Sequence, residues 1–237
     1  MNPDKIHKLQ QMGLGPVWRR RGLPDESPHT DARALSPDAP GNADDIASMD
    51  WDTLESTIRE CTRCGLCKGR HHAVPGIGDR SARWLFVGEG PGRNEDMQGE
   101  PFVGPAGKLL DNMLHALDLK RGANTYIANM VKCRPVGDDG RDRPPVSEEV
   151  AACLPYLQRQ IALIRPEVIV ALGKTAAVSL LGLPADTSLG SLRGALREFA
   201  GIPLVITYHP AYLLRQPADK SKAWRDLCMA KGIIDGR

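Results

Sequence analysis

No stretch of this chain approaches the ~20 consecutive apolar residues that a membrane-crossing helix needs. The N-terminus carries charges but no apolar signal core, so the chain is expected to be cytoplasmic. No segment repeats, which excludes solenoid and propeller architectures. Charge of one sign is not in excess: the formal net charge is +2, so any nucleic-acid contact must come from a local patch. A clustered carboxylate set, as a metal-dependent nuclease would need, is also missing. What remains is an ordinary globular composition over 237 residues, 41% hydrophobic and 25% charged, enough for one sizeable core.

The chain divides into an expected flexible extension, residues 1–50, and a domain, residues 51–237. Residues 2–12 place Ile6, Leu9 and Met12 on one side of a short helix. The basic triplet Arg19-Arg20-Arg21 follows, read first as a solvated turn and second as a contact for nucleic acid or an acidic partner. From Gly22 to about Asp45 the chain is rich in Pro, Asp, Ser and Gly. Such a segment buries too little surface to offset its ordering entropy, so a linker is expected.

The domain is organised around Trp84–Gly92, WLFVGEGPG. An uninterrupted apolar run ending in glycines reads as a buried parallel strand whose C-terminal end lets a ligand approach the backbone. Strands are predicted at 83–87, 125–128, 168–172 and 204–207. Helices are predicted at about 50–60, 106–117, from 147, 174–181 and about 221–231. The alternation predicts an α/β fold: a three-layer α/β/α sandwich around a four-stranded parallel sheet. In such sheets ligands bind at the strands' C-terminal ends. There the chain offers Glu89, Asn129, Gly173 and His209.

Cysteine is concentrated. Cys61, Cys64 and Cys67 form two overlapping C-x-x-C pairs, and Cys133 and Cys153 lie downstream. In a reducing compartment these favour a metal over disulfides. Zinc and a [4Fe–4S] cluster both fit a four-thiolate set. Cys228 is expected to be packed on the last helix.

GEGPG, PFVGPAG, YIANMVKCRP, the EEVAAC helix start, VIVALGKTAA and HPAYLLR occur here in order. In order and spacing they resemble the family 4 uracil-DNA glycosylases, from about Ile58 to Ala230. The resemblance implies the α/β/α glycosylase sandwich, and an enzyme of base excision repair acting as a monomer on uracil in single- or double-stranded DNA. It implies a [4Fe–4S] cluster on Cys61, Cys64, Cys133 and Cys153, with Cys67 left over. Its pattern places Phe102 against the uracil ring, where stacking is worth about 1–3 kcal/mol. It assigns the Asn129 amide to uracil O4 and N3–H, and His209 to the anion developing on O2.

By the same resemblance Glu89, with the Gly88 and Gly90 backbone, faces the sugar and the attacking water. Glu95 matches a position near uracil C5 that excludes the thymine methyl; otherwise it is a solvated surface acid. Leu213, Leu214 and Arg215 match a loop that enters the duplex, as apolar wedge and phosphate contact. Lys132, Arg134, Lys174 and Arg193 are further candidate phosphate contacts. The chain departs from the family after Cys133, reading RPVGDDGRDRPP, where Asp138 is the candidate substitute for a water-holding Asn. No His lies between Cys133 and Cys153, which argues against a related branch that traps the sugar covalently. The matched motifs carry no lysine nucleophile, so no strand cleavage is expected. A non-catalytic uracil-DNA binding protein is the alternative.

Overall fold

The computed structural model of the chain describes residues 43–236; the expected helix at 2–12, the basic triplet and most of the expected linker lie outside them. The linker's expected end overlaps a folded element, because helix α1 already spans Ala43–Ser48 and Ile46 within it is buried. Asp50 accepts a hydrogen bond from Thr53 N at 2.9 Å and so caps α2, Trp51–Glu60, whose Leu54 and Ile58 are buried one turn apart. A short 3₁₀ turn at Gly65–Lys68 follows.

The sheet begins with β1 (Ile77–Gly78) and β2 (Trp84–Gly88). Helices α3 (Arg93–Gln98) and α4 (Pro105–Ala116) lead to β3 (Thr125–Asn129). Then come α5 (Ser147–Ile164), β4 (Val168–Leu172), α6 (Lys174–Leu181) and α7 (Leu189–Leu192). The strands β5 (Arg197–Phe199) and β6 (Ile202–Thr207) and the helices α8 (Pro210–Arg215) and α9 (Lys220–Asp235) complete the fold. The last helix is therefore longer at both ends than the sequence predicts.

The sheet has six strands in the order β1-β3-β2-β4-β6-β5, which corrects the expected four. The four predicted strands are its parallel centre; β1 and β5 add antiparallel edges. Both are too short to leave a periodicity in the sequence. Every residue of β2, β3 and β4 is buried, as expected for a sheet covered on both faces. Leu85, Val87, Ile169 and Ala171 face α5 and α6, while Trp84, Phe86, Val168 and Val170 face α4 and α9. A third cluster joins α1 and α2 to Cys133, Cys153 and Tyr156.

Register sets the functional end. Gly88 is level with Asn129 across β2 and β3, and Leu172 is level with Thr207 across β4 and β6. The residues that follow each strand therefore emerge at one edge.

Candidate active site and cysteine centre

That edge opens into one cavity of about 540 Å³, and Glu89, Gly90, Glu95, Phe102, Asn129, His209 and Arg215 all line it. Residues far apart in the chain thus share one wall. Gly88 does not line it but lies behind two residues that do, Asn129 and Phe102. A Cβ there would lie 2.4 Å from Asn129 Oδ1 and 2.6 Å from the Phe102 ring, so only glycine lets amide and ring approach this closely.

Asn129 is buried, and its Oδ1 has no hydrogen-bond partner. A buried polar atom left unpaired costs about 1–3 kcal/mol, which a ligand donor can recover. The buried Lys132 donates to the Asn129 carbonyl at 2.9 Å and to Gln160 Oε1 at 2.7 Å. Lys132 is therefore a strut beneath Asn129, which corrects its expected role at phosphate.

Phe102 has φ 56°, a strained value for a residue with a Cβ. A clamp holds it there. Glu95 Oε1 accepts from Val103 N and Gly104 N, both at 3.0 Å. Arg121 donates to the carbonyls of Pro101 and Phe102, both at 2.9 Å, and pairs with Asp111. Glu95 is thus neither a free surface acid nor wholly available to a substrate. Gly107 packs so closely that a Cβ would fall 1.7 Å from the Phe102 carbonyl oxygen.

His209 caps α8, its Nδ1 accepting from Ala211 N at 3.2 Å. The neutral ring consequently carries its proton on Nε2. Burial, assisted by Arg215, pushes its pKa down to about 4, so the imidazole is neutral at physiological pH. Its ring centroid lies 5.5 Å from that of Phe102. Glu89 accepts a short hydrogen bond from the Thr175 hydroxyl. Its own carbonyl accepts from Val131 N at 3.1 Å, which fixes the turn.

Several expectations change. Leu213 is 1% exposed, seated where α8 meets α4, and cannot enter a duplex without leaving that seat; Leu214 is 45% exposed. Arg193 is paired with Asp226 at 2.6 Å beneath Tyr208, so it does not contact phosphate as expected. Arg134 pairs with Asp142 at 2.5 Å, whereas Lys174 is exposed on the cavity wall. Asp138 is exposed and outside the lining; Asp142 is the carboxylate that the lengthened loop brings to the cavity. Arg143, also on the wall, is anchored to Glu149 at 2.6 Å. Thr175, Arg121 and Asp142 were not singled out from sequence. Their type and spacing carry no signal apart from the fold.

The second centre is a compact pocket lined by Cys61, Cys64, Cys67, Cys133 and Cys153. Cys153 lies inside α5 rather than at its start, and Cys228 is exposed rather than packed. Among the described residues no three His, Cys, Asp or Glu side chains gather as ligands of a single ion. The sulfurs nonetheless receive N–H donors: Arg70 Nη1 to Cys133 Sγ at 3.1 Å, Lys132 N to Cys153 Sγ at 3.2 Å, and Arg63 N to Cys61 Sγ at 3.5 Å. Burial pushes the Cys153 thiol up to about 12, so an isolated thiolate is costly there. Donors aimed at these sulfurs suit thiolates that are bound to a metal centre.

No helix among the described residues is long and apolar enough to cross a membrane. The model of the uracil-DNA glycosylase superfamily matches residues 75–228. A type-4 uracil-DNA glycosylase of Pyrobaculum aerophilum is 43% identical over 78% of this chain and 94% of its own length. One from Thermotoga maritima is 40% identical over 77% of this chain and 94% of its own. A type-5 uracil-DNA glycosylase of Pyrobaculum aerophilum is 30% identical over 68% of this chain and 75% of its own. With its fold, its cavity and these relatives taken together, the chain belongs to the uracil-DNA glycosylase superfamily, on the type-4 branch.

Proposed function

We propose that the chain is a monofunctional glycosylase that flips deoxyuridine out of single- or double-stranded DNA and hydrolyses its N-glycosidic bond. As a member of this family it is a uracil-DNA glycosylase, a hydrolase of DNA repair. The observation that carries the finer reading is the Asn129 amide, buried at the cavity floor with its oxygen unpaired beside Phe102. Uracil N3–H is the donor that this oxygen lacks, and O4 accepts from the same amide's nitrogen. Cytosine presents the opposite polarity and would leave groups unpaired.

Flipping costs a few kcal/mol, offset in part by stacking on Phe102. The C1′–N1 bond then breaks with its electron pair moving onto uracil, where charge gathers on O2. The His209 Nε2–H donates to that oxygen, a bond that strengthens as the charge grows. Glu89 stabilises the cationic sugar and orients water, whose oxygen joins C1′ and whose proton leaves to solvent. Leu214 fills the vacated stack and Arg215 meets phosphate.

Cys61, Cys64, Cys133 and Cys153 would hold a [4Fe–4S] cluster. It would act structurally, tying the turn after α2 to the loop after β3 and to α5. We read the chain as a monomer working in the cytoplasm.

A duplex carrying one deoxyuridine, incubated with the protein and then treated with hot alkali, tests the activity. A cleaved strand only after alkali is expected; no alkali-labile product would leave the binding-protein alternative. Protein isolated anaerobically should be brown and contain iron and inorganic sulfide. A colourless preparation with stoichiometric zinc would refute the cluster.

A further inference from the structure

We propose that Thr175 is a positioning residue for the glycosidic step, holding the Glu89 carboxylate toward the sugar through its hydroxyl. The inference rests on the glycosylase reading above and assigns a part to a residue on a different element. Strand β4 lies between β2 and β6, so the helix that follows it, α6, starts between Glu89 and His209. Gly173 makes that start possible: its φ is +96°, and a Cβ there would stand 3.0 Å from the His209 Cβ. Thr175 is the second residue of α6. A threonine in the first turn of a helix usually bonds its own backbone. Here the Oγ1–H reaches across to another strand and donates to Glu89 Oε2.

The consequence is geometric. With Oε2 held, the carboxylate cannot rotate freely, and Oε1 takes no hydrogen bond among the described residues. One oxygen is anchored, and the residue lines the cavity with the other unpaired among the described residues. The ionisable groups sharing the cavity are Glu95, Asp142, Arg143, Lys174, His209, Tyr212 and Arg215. Pinning Glu89 keeps it from swinging toward the Lys174 ammonium instead.

The test is a double-mutant cycle in single-turnover uracil release. Thr175→Val, which keeps the shape and removes the donor, should slow cleavage about tenfold. The loss should fall on kcat, with KM changed less than about twofold. Thr175→Ser, which restores the hydroxyl, should recover at least about half of the rate. In a Glu89→Gln background, Thr175→Val should change the rate less than about twofold. A wild-type rate for Thr175→Val, a loss that falls on KM instead of kcat, or independent multiplication of the two effects would overturn the proposal.

A second readout does not need activity. In crystals of Thr175→Val and of Thr175→Ala the Glu89 carboxylate should leave its single rotamer; an unchanged rotamer in both counts against the contact. Should the wild-type protein release no uracil, the glycosylase reading fails, while the Glu89 rotamer in the variants still decides whether Thr175 holds it.

Discussion

In the proposed mechanism His209 donates to the departing base, and replacing it by alanine removes that donor. Loss of one such donor from a preorganised site costs a factor of roughly 10²–10³. His209→Ala is therefore expected to slow single-turnover uracil release at least about a hundredfold. The more discriminating measurement is the pH profile of the wild-type enzyme. An imidazole with its pKa near 4 is about nine-tenths neutral at pH 5. One with an unperturbed value near 6.5 would be only about 3% neutral there. Protonating Nδ1 would break its hydrogen bond from Ala211 N–H and unseat the ring, so with the pKa near 4 the rate should hold nearly flat from pH 8 to about 5. A rate that halves near pH 6.5 would refute the neutral ring.

The same group makes a statement about stability. Burial lowers the folded-state pKa below the unfolded value, so the unfolded chain takes up the proton first. Stability must then fall as pH drops from about 6.5 towards about 4, by roughly 3 kcal/mol in total from this residue. Above about 6.5 the term vanishes, since both states hold neutral imidazole. His209→Gln should flatten this part of the stability curve in urea unfolding. An unchanged slope between pH 4 and 6.5 would show that His209 is more solvated than the fold implies.

Other expectations follow from the same geometry. Gly88→Ala forces a Cβ to within 2.4 Å of Asn129 Oδ1, so uracil release should fall at least about a hundredfold, with about 1–3 kcal/mol lost in denaturant melts. Arg121→Ala frees the Pro101 and Phe102 carbonyls, and the relaxed ring should raise KM for deoxyuridine DNA more than it lowers kcat; unchanged KM would disprove the clamp. Leu214→Ala should weaken cleavage of duplex but spare single-stranded substrate. Leu213→Ala should instead cost about 2–5 kcal/mol of stability, with no preference between the two substrates.

The parallel centre of the sheet was legible because β2 and β4 are unbroken apolar runs ending in glycine, a pattern set by burial on both faces. Residues at those strand ends were legible too, since Glu89, Asn129 and His209 follow directly from where each run stops. Edge strands were not, because two or three residues carry no period. Side-chain partnerships across elements were hidden for another reason. Whether Arg193 meets phosphate or Asp226, and whether Leu213 faces solvent or α4, depends on packing between segments distant in sequence. In the loop after Cys133, Asp138 and Asp142 differ only in how the added residues fold back. There the backbone pairs Val136 with Asp142 and leaves Asp138 outside.

The site therefore rests on two kinds of placement with different physical demands. Groups on strand ends inherit their backbone positions from register: Gly88 is aligned with Asn129, and Lys132 supports the Asn129 carbonyl from the loop that follows. Phe102 has no strand beneath it. Its positive φ costs about 1–2 kcal/mol and would relax without the four hydrogen bonds from Glu95 and Arg121 around it. That difference explains why Glu95 and Arg121 matter to a base they need not touch. It also explains why the same cavity combines residues that sequence pattern reveals with others that only the folded chain can bring together.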